Sequence, residues 1–545
     1  MVQFLIDNMA PIMFASLMAI ILLGYPIAFS LAALGLFYGV IGIELGLFTP
    51  NFLQALPDRV FDIMSNETLL AIPFFTFMGF VLDRSKMAEE LLRTMGELFG
   101  SVRGGLAYTV IFVGALLAAT TGVVAASVIS MGLISLPLML RYAYDRGLAA
   151  GVIMAAATLA QILPPSLVLI VLADQLRISV GDIYIGALVP AFVLISLFAS
   201  YVLVLSIIWP GKTPPLPEGN HSAGEFKSLL VGLVPTIFVA YFATYLIEPH
   251  VEQAAYVYGG LIAVLFLFAC VMISRLLGLG AFSNLAEKIV FSLVPPLVLI
   301  FLVLGTIFIG LATPTEAGAM GAAGALALTL AKGRLTFTLT RDAVESTLKL
   351  SAFVMFILIG ARVFALVFYG VGGHIWVKDL LLALPGGEAG FIAFVGTIIF
   401  LLGFFLDFFE IVFILVPLLI APAQALGIDM VWLGVILALI LQTSFLTPPF
   451  GFTLFFFRSV APTDDYVDEP TGRTIKGVKT SEIYRAAVPF VILHIIAAAI
   501  VFFIPQTVTH YRTTDFVDPD IVQEQLDNID FPDFGDDDLL PPLFD

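Results

Sequence analysis

Charge is scarce in this chain. Only 12% of its 545 residues are Asp, Glu, Lys or Arg, about half the share of a soluble domain, which is roughly 25%. With 60% hydrophobic residues and a mean hydropathy of +1.07, that scarcity excludes a soluble globular protein and defines a polytopic membrane protein. Cysteine is nearly absent. Cys270 stands alone, which excludes a disulfide framework and a cysteine-rich metal centre. The five histidines (His221, His250, His374, His494, His510) show no ligand spacing. No G-x-x-x-x-G-K-[ST] loop occurs, so ATP is not expected to drive the protein. A basic N-terminal region followed by a small-residue cleavage site is also missing, so no cleaved signal peptide is expected. No basic residue follows Arg512, and the segment 507–545 is acidic and punctuated by proline. It reads as a solvated tail and holds much of the net charge of −17; no nucleic-acid partner is expected.

Long apolar runs fill the rest. A membrane-crossing helix needs about 20 apolar residues. Crossings are expected near 9–24, 26–43, 67–82, 148–173, 185–209, 229–247, 256–274, 291–311, 314–331, 351–369, 430–457 and 487–506. Two stretches, 106–140 and 390–426, are too long for one crossing and have polar or glycine-containing middles, "AATTGVV" and "GFFLDFFE". They read as re-entrant hairpins. Short cytoplasmic loops carry the Lys and Arg excess. Arg84, Lys86, Arg93 and Arg103 precede the first hairpin, and Arg141 and Arg146 follow it. Counting onward puts both termini outside. The segment 87–104 is amphipathic and is expected to lie at the cytoplasmic interface.

Proline interrupts two of the runs in the same way, in "LAQILPPSLVLIV" and "LQTSFLTPPFGFTLF". A proline inside a helix costs about 3 kcal/mol, so two Pro-Pro breaks imply a use for the broken backbone. Pro448 follows Pro164 by 284 residues. The second hairpin apex near Asp407 follows the first near Gly122 by 285, and Pro314 follows Pro26 by 288. The near-constant offset and the topology count predict an inverted-topology repeat, whose binding sites lie at discontinuous helices near the midplane. The expected division is 9–209 for the first repeat (hairpin 106–140, broken helix 148–173), 210–290 for a connector with two additional crossings, and 291–506 for the second repeat (hairpin 390–426, broken helix 430–457). The first break would offer carbonyls of Ala160, Ile162 and Leu163 with the hydroxyls of Thr158 and Ser166. The second would offer Thr443, Ser444 and Thr447. Neutral oxygen ligands suit a hard monovalent cation.

Five stretches carry a family resemblance: "LLAIPFFTFMG" (69–79), "ILPPSLVLIV" (162–171), "ATPTEAGAMGAAGA" (312–325), "LGFFLDFFEIVFILVPLL" (402–419) and "LTPPFGFTLF" (446–455). With them the chain resembles the large membrane subunit of TRAP (tripartite ATP-independent periplasmic) transporters. The resemblance implies an all-α, elevator-type transporter in a bacterial inner membrane. It would take up an organic acid with Na⁺, delivered by a periplasmic binding protein, beside a small four-helix membrane subunit expected here as a separate chain. It places sodium at each hairpin tip and the following broken helix: Thr120, Thr121 and Gly122 with Ala160, Ile162 and Pro164, then Gly403 and Asp407 with Thr443 and Thr447. Ser127, Ser166, Ser444 and Arg362 are the candidate substrate contacts.

Ionisable residues inside spans are functional candidates by default. Arg362 is placed to meet a substrate carboxylate, to snorkel, or to pair with Asp407. Glu316 reads as a helix cap, and Glu410 as a cap or a site residue. A self-sufficient ion-coupled carrier without a binding protein stays open as the alternative. An intramembrane enzyme is not expected, since no His/Asp cluster or Ser/Lys pair stands at membrane depth. Two sealed hairpins facing opposite ways argue against a channel.

Overall fold

In lipid an unpaired amide or carbonyl has no water to satisfy it, so each crossing segment must close its own hydrogen bonds as helix. The computed structural model shows that outcome, and it describes residues 2–100, 102–216, 223–248, 255–468 and 471–511. The acidic tail beyond residue 511 and the loop 249–254 lie outside the described residues.

The chain opens with α1 (Val2–Asp7), α2 (Met9–Leu22) and α3 (Ile27–Glu44), then a pair bent by 49°, α4 (Leu56–Met64) and α5 (Glu67–Arg84). α6 (Met87–Phe99) leads into a hairpin of α7 (Gly105–Thr121) and α8 (Val124–Arg141). The first broken helix follows as α9 (Arg146–Thr158) and α10 (Leu167–Leu176), and then α11 (Val180–Ile208). α12 (Ala223–Ile247) and α13 (Ala255–Leu276) pack together and connect to α14 (Asn284–Phe308). The order then recurs. α15 (Pro314–Ala331), α16 (Phe337–Gly370) and α17 (Gly373–Leu382) precede the second hairpin, α18 (Gly387–Leu402) and α19 (Phe408–Ala425). The second broken helix is α20 (Met430–Leu446) and α21 (Phe452–Val460), followed by α22 (Thr480–Phe503) and α23 (Gln506–Thr509). Between α21 and α22 a two-stranded antiparallel hairpin, β1 (Tyr466–Asp468) and β2 (Arg473–Ile475), pairs Tyr466 with Ile475.

Packing repeats with the order, crosswise. α3 lies on α16 as α15 lies on α5. α10 lies on α19 as α21 lies on α8. α22 lies on α9 as α11 lies on α20. Each half is therefore completed by the other. Small residues permit the closest approaches: a Cβ at Gly35 in α3 would stand 2.8 Å from the Val363 carbonyl carbon of α16, and one at Gly360 would strike the Ala28 carbonyl. The open end of the first hairpin is tied shut on one side of the molecule. Leu106 N donates to Tyr144 Oη at 3.2 Å, Gly104 N to Thr213 O at 3.2 Å, and Asp145 N to Lys212 O at 3.1 Å.

Three features depart from the sequence expectation. α16 runs over 34 residues rather than 351–369. It is about 51 Å long, well beyond a hydrocarbon core of about 30 Å. Thr336 caps its start by accepting from Leu339 N, and an i,i+4 pair, Glu345–Lys349 at 2.8 Å, carries the helix through its charged turns. The short helices α4 and α17 and the strands β1 and β2 have no long apolar run behind them. The amphipathic segment ends at Phe99, not at 104, and Glu90 pins it to the core. Glu90 meets Lys332 at 3.3 Å, Arg334 at 3.1 Å and Ser292 Oγ at 3.2 Å.

Candidate functional site

The first break is built from a helix that tightens and then stops. α9 passes into a 3₁₀ turn at Leu159–Gln161, the Pro164–Pro165 peptide is cis, and α10 restarts after Ser166. Ser166 Oγ lies 2.9 Å from Ala160 O and 3.0 Å from Gln161 O, donating its one proton between them. Each of those carbonyls has two lone pairs, so both keep acceptor capacity. Tyr184 Oη donates to Ser166 O at 3.3 Å. Gly122, the hairpin tip, sits at φ +60° against the start of α10: a Cβ there would lie 3.1 Å from Leu167 Cγ and 3.2 Å from Leu167 N. The tip and the break thus meet. Thr120 is buried and donates to Leu117 O at 2.9 Å, and Ser127 is buried in the first turn of α8. The side chain of Thr121 lies outside the described structure.

The second break repeats the plan. α20 ends at Leu446 with Thr447 as its extended C-cap, the Pro448–Pro449 peptide is cis, and Gly451 precedes α21. Thr443 Oγ1 donates to Leu439 O at 2.7 Å, Ser444 Oγ to Leu441 O at 2.8 Å and Thr447 Oγ1 to Thr443 O at 2.7 Å. Each hydroxyl spends its proton on the helix and keeps its lone pairs. Gly403, at the second tip, lies against Ser444: a Cβ there would stand 2.8 Å from Ser444 Cβ and strike its hydroxyl. Asp407 forms the N-cap of α19, and Glu410 Oε2 accepts from Asp407 N at 2.8 Å. Glu410 is therefore a capping residue, and so is Glu316, whose Oε2 accepts from Thr313 N at 2.8 Å.

The broken helices cross at equivalent positions. Gln442 Nε2 donates to Thr158 Oγ1 at 3.2 Å, across 284 residues, the same offset that separates the two Pro-Pro pairs. Residues that correspond under the repeat and also touch mark its internal axis. Thr158 Oγ1 donates to Ala155 O at 2.8 Å and lies 3.3 Å from His494 Nε2. His494 Nδ1 donates to Phe490 O at 2.7 Å. All three side chains are fully buried. The Thr158 hydroxyl, a candidate ligand by sequence, is thus committed to the crossing. Gln161 Oε1 and Gln442 Oε1 are buried with no hydrogen-bond partner among the described residues. These two glutamines and His494 were not singled out from sequence. Their signal was available: each glutamine is the lone amide in an apolar run just before a Pro-Pro pair.

Arg362 stands apart. It lines a cavity bounded by α16 and α19, whose lining includes none of Ser127, Ser166 or Ser444. It makes no ion pair with Asp407 among the described residues. No cluster of three His, Cys, Asp or Glu side chains occurs among the described residues; the breaks themselves offer carbonyls, hydroxyls and the two amides, with the Asp407 carboxylate at the second tip.

Paired hairpins, paired broken helices and eight described helices long and apolar enough to cross a membrane define a polytopic membrane transporter. Residues 14–507 match the family described as tripartite ATP-independent periplasmic transporter, DctM component; the chain belongs to that family, as a large permease and not an enzyme. It is 27% identical over 465 residues to the C4-dicarboxylate TRAP transporter large permease protein DctM of Pseudomonas aeruginosa, covering 84% of this chain and 89% of that one. It is 23% identical to the sialic acid TRAP transporter large permease protein SiaM of Vibrio cholerae, covering 79% and 85%. It is 22% identical to the ectoine TRAP transporter large permease protein TeaC of Halomonas elongata, covering 93% and 100%. Among solved structures, the Alcanivorax borkumensis YdaH transporter aligns at a TM-score of 0.46 and 13% identity, over 82% of this chain and 88% of that one.

Proposed function

We propose that the chain carries an organic anion into the cell together with Na⁺, as the membrane permease of a three-part system with a small membrane subunit and a periplasmic binding protein. The observation that carries this is the meeting of each hairpin tip with its break, Gly122 on Leu167 and Gly403 on Ser444. Each meeting point gathers neutral oxygens without a carboxylate cluster, which suits a monovalent cation. The N-termini of the half-helices α10 and α21 open at the same places, and their unpaired amides favour an anion.

The interlocked group α7–α10 and α18–α21 is the moving part in this reading. Its two breaks are joined through Thr158 and Gln442, so they travel together. α3 and α16, locked backbone to backbone at Gly35 and Gly360, form the frame. Positive-inside counting puts the tied end of the first hairpin in the cytoplasm and both termini in the periplasm.

Uptake into proteoliposomes holding the chain and its small subunit tests the reading, with radiolabelled succinate and sialic acid as probes and the matched binding protein outside. The expected result is accumulation that needs both an inward sodium gradient and the binding protein. Accumulation that ignores the binding protein would replace it with a self-sufficient carrier.

A further inference from the structure

Apart from the two breaks, a cavity of about 420 Å³ lies between α10 and α19 on one side and α3 and α16 on the other. Three arginines reach it from three elements: Arg59 from α4, Arg177 from the end of α10 and Arg362 from α16. None of the three guanidinium groups has a hydrogen-bond or ion-pair partner among the described residues. The one carboxylate in the lining, Asp174, is held by neutral amides instead: its Oδ1 accepts from Asn66 Nδ2 at 2.8 Å and its Oδ2 from Gln175 Nε2 at 2.7 Å. The cavity thus keeps a formal excess of positive charge. Leu358, Phe364, Phe368 and Ile414 form apolar wall, and low-dielectric walls focus such a field.

Depth and side agree. Arg362 precedes the end of α16 at Gly370 by eight residues, which is about 12 Å along the helix. A charge at that depth is a functional candidate. The charge count that puts the tied end of the first hairpin in the cytoplasm puts the start of α5, the end of α10 and the end of α16 at the outer face. All three arginines therefore stand near one mouth. The volume suits a small organic ligand, whose pockets span roughly 300–1,000 Å³, and arginine binds carboxylate in a bidentate fork.

We propose that this cavity is an outer vestibule in which Arg59, Arg177 and Arg362 receive the carboxylate of the transported anion before it reaches the breaks. The proposal rests on the anion-carrier reading and adds a place to it. Arg177 belongs to the interlocked group, while Arg362 sits on the frame and Arg59 on α4, which packs against the frame helix α16. A displacement of one against the other alters their grouping and passes the anion inward.

The test places a single thiol in the vestibule. Gln424 lines the cavity and is exposed, so Gln424→Cys in a Cys270→Ser background gives one reactive site. The full chain with its small subunit, in nanodiscs, is labelled with anionic sulfonatoethyl and cationic trimethylammonioethyl methanethiosulfonate. The expected result is a rate ratio that favours the anionic reagent over the ratio for a free thiol. Each of Arg59→Gln, Arg177→Gln and Arg362→Gln should lower it about two- to three-fold at low salt, with less effect at high salt. Millimolar succinate should slow the labelling. A ratio equal to that of a free thiol and indifferent to the three arginines overturns the vestibule, even where sodium-driven uptake persists. An arginine-dependent ratio with succinate protection but no sodium-driven uptake upholds the vestibule and overturns the coupled-carrier reading instead.

Discussion

The two glycines at the hairpin tips set the scale at which function is decided. Gly122 needs its positive φ, which an L side chain adopts only under strain, and Gly403 has no room for a methyl beside Ser444. Gly122→Ala and Gly403→Ala should each lower uptake per folded molecule at least ten-fold, a loss larger than the drop in yield and thermal midpoint that the strain at Gly122 and the close contact at Gly403 bring. A loss of folded protein in proportion to the loss of uptake would count against a functional tip. Thr158→Val addresses the crossing. It leaves the Gln442 amide N–H without its acceptor in a fully buried place, at a cost of about 1–3 kcal/mol. A lowered thermal midpoint is expected, and Thr158→Ser should restore it. Much of this was legible in sequence, because Pro-Pro pairs and their hydroxyl neighbours stand out in apolar runs. That the tips close on the breaks was also expected; which residues touch, Gly403 on Ser444, was not, since they come from separate elements. Glu410 shows the reverse case: capping chemistry explains a charge that depth alone marks as a functional candidate, while Glu316 is the cap that its place at a helix start predicts.

At the scale of elements, hairpins and broken helices follow from hydrophobic length and proline. Both hairpins, expected at 106–140 and 390–426, end within a few residues of the observed helices. α4, α17 and the β-hairpin lie outside the long apolar runs from which the crossings are read. The β-hairpin is held by Arg141 on Asp468 at 2.9 Å. The interfacial helix α6 is held by Glu90. Burial pushes the Glu90 carboxyl up, but Lys332, the Ser292 hydroxyl and Arg334 outweigh it and hold it below its ordinary value. A carboxyl lowered on folding contributes stability that is complete above its ordinary pKa and is lost as the pH falls through its folded value. Glu90→Gln should therefore lower the thermal midpoint near neutral pH, by the equivalent of about 1 kcal/mol for a half-exposed network. The difference from wild type should shrink in acid; a constant difference across pH would contradict the ion-pair account. Gly360→Val, which drives side-chain bulk into the α3 backbone, should cost about 1–3 kcal/mol by overpacking and is read in the yield of folded protein.

Over the whole molecule, two half-structures complete each other and meet at Thr158 and Gln442. Their correspondence was visible in the sequence as offsets of 284 to 288 residues between landmarks. The crosswise packing of α10 on α19 and α21 on α8 was not, because it joins elements that are far apart in the chain. The central claim is that oxygens at the two breaks hold sodium within one travelling unit. It is tested most directly by thermal melting of the purified chain with its small subunit in Na⁺, K⁺ or choline. A ligand that binds only the folded state raises stability with its concentration. The midpoint should rise with Na⁺ and not with K⁺ or choline, and the rise should be reduced in Thr443→Val and in Ser166→Ala and nearly absent when both are combined. A rise equal in all three salts, or one untouched by the combined substitution, would contradict the claim.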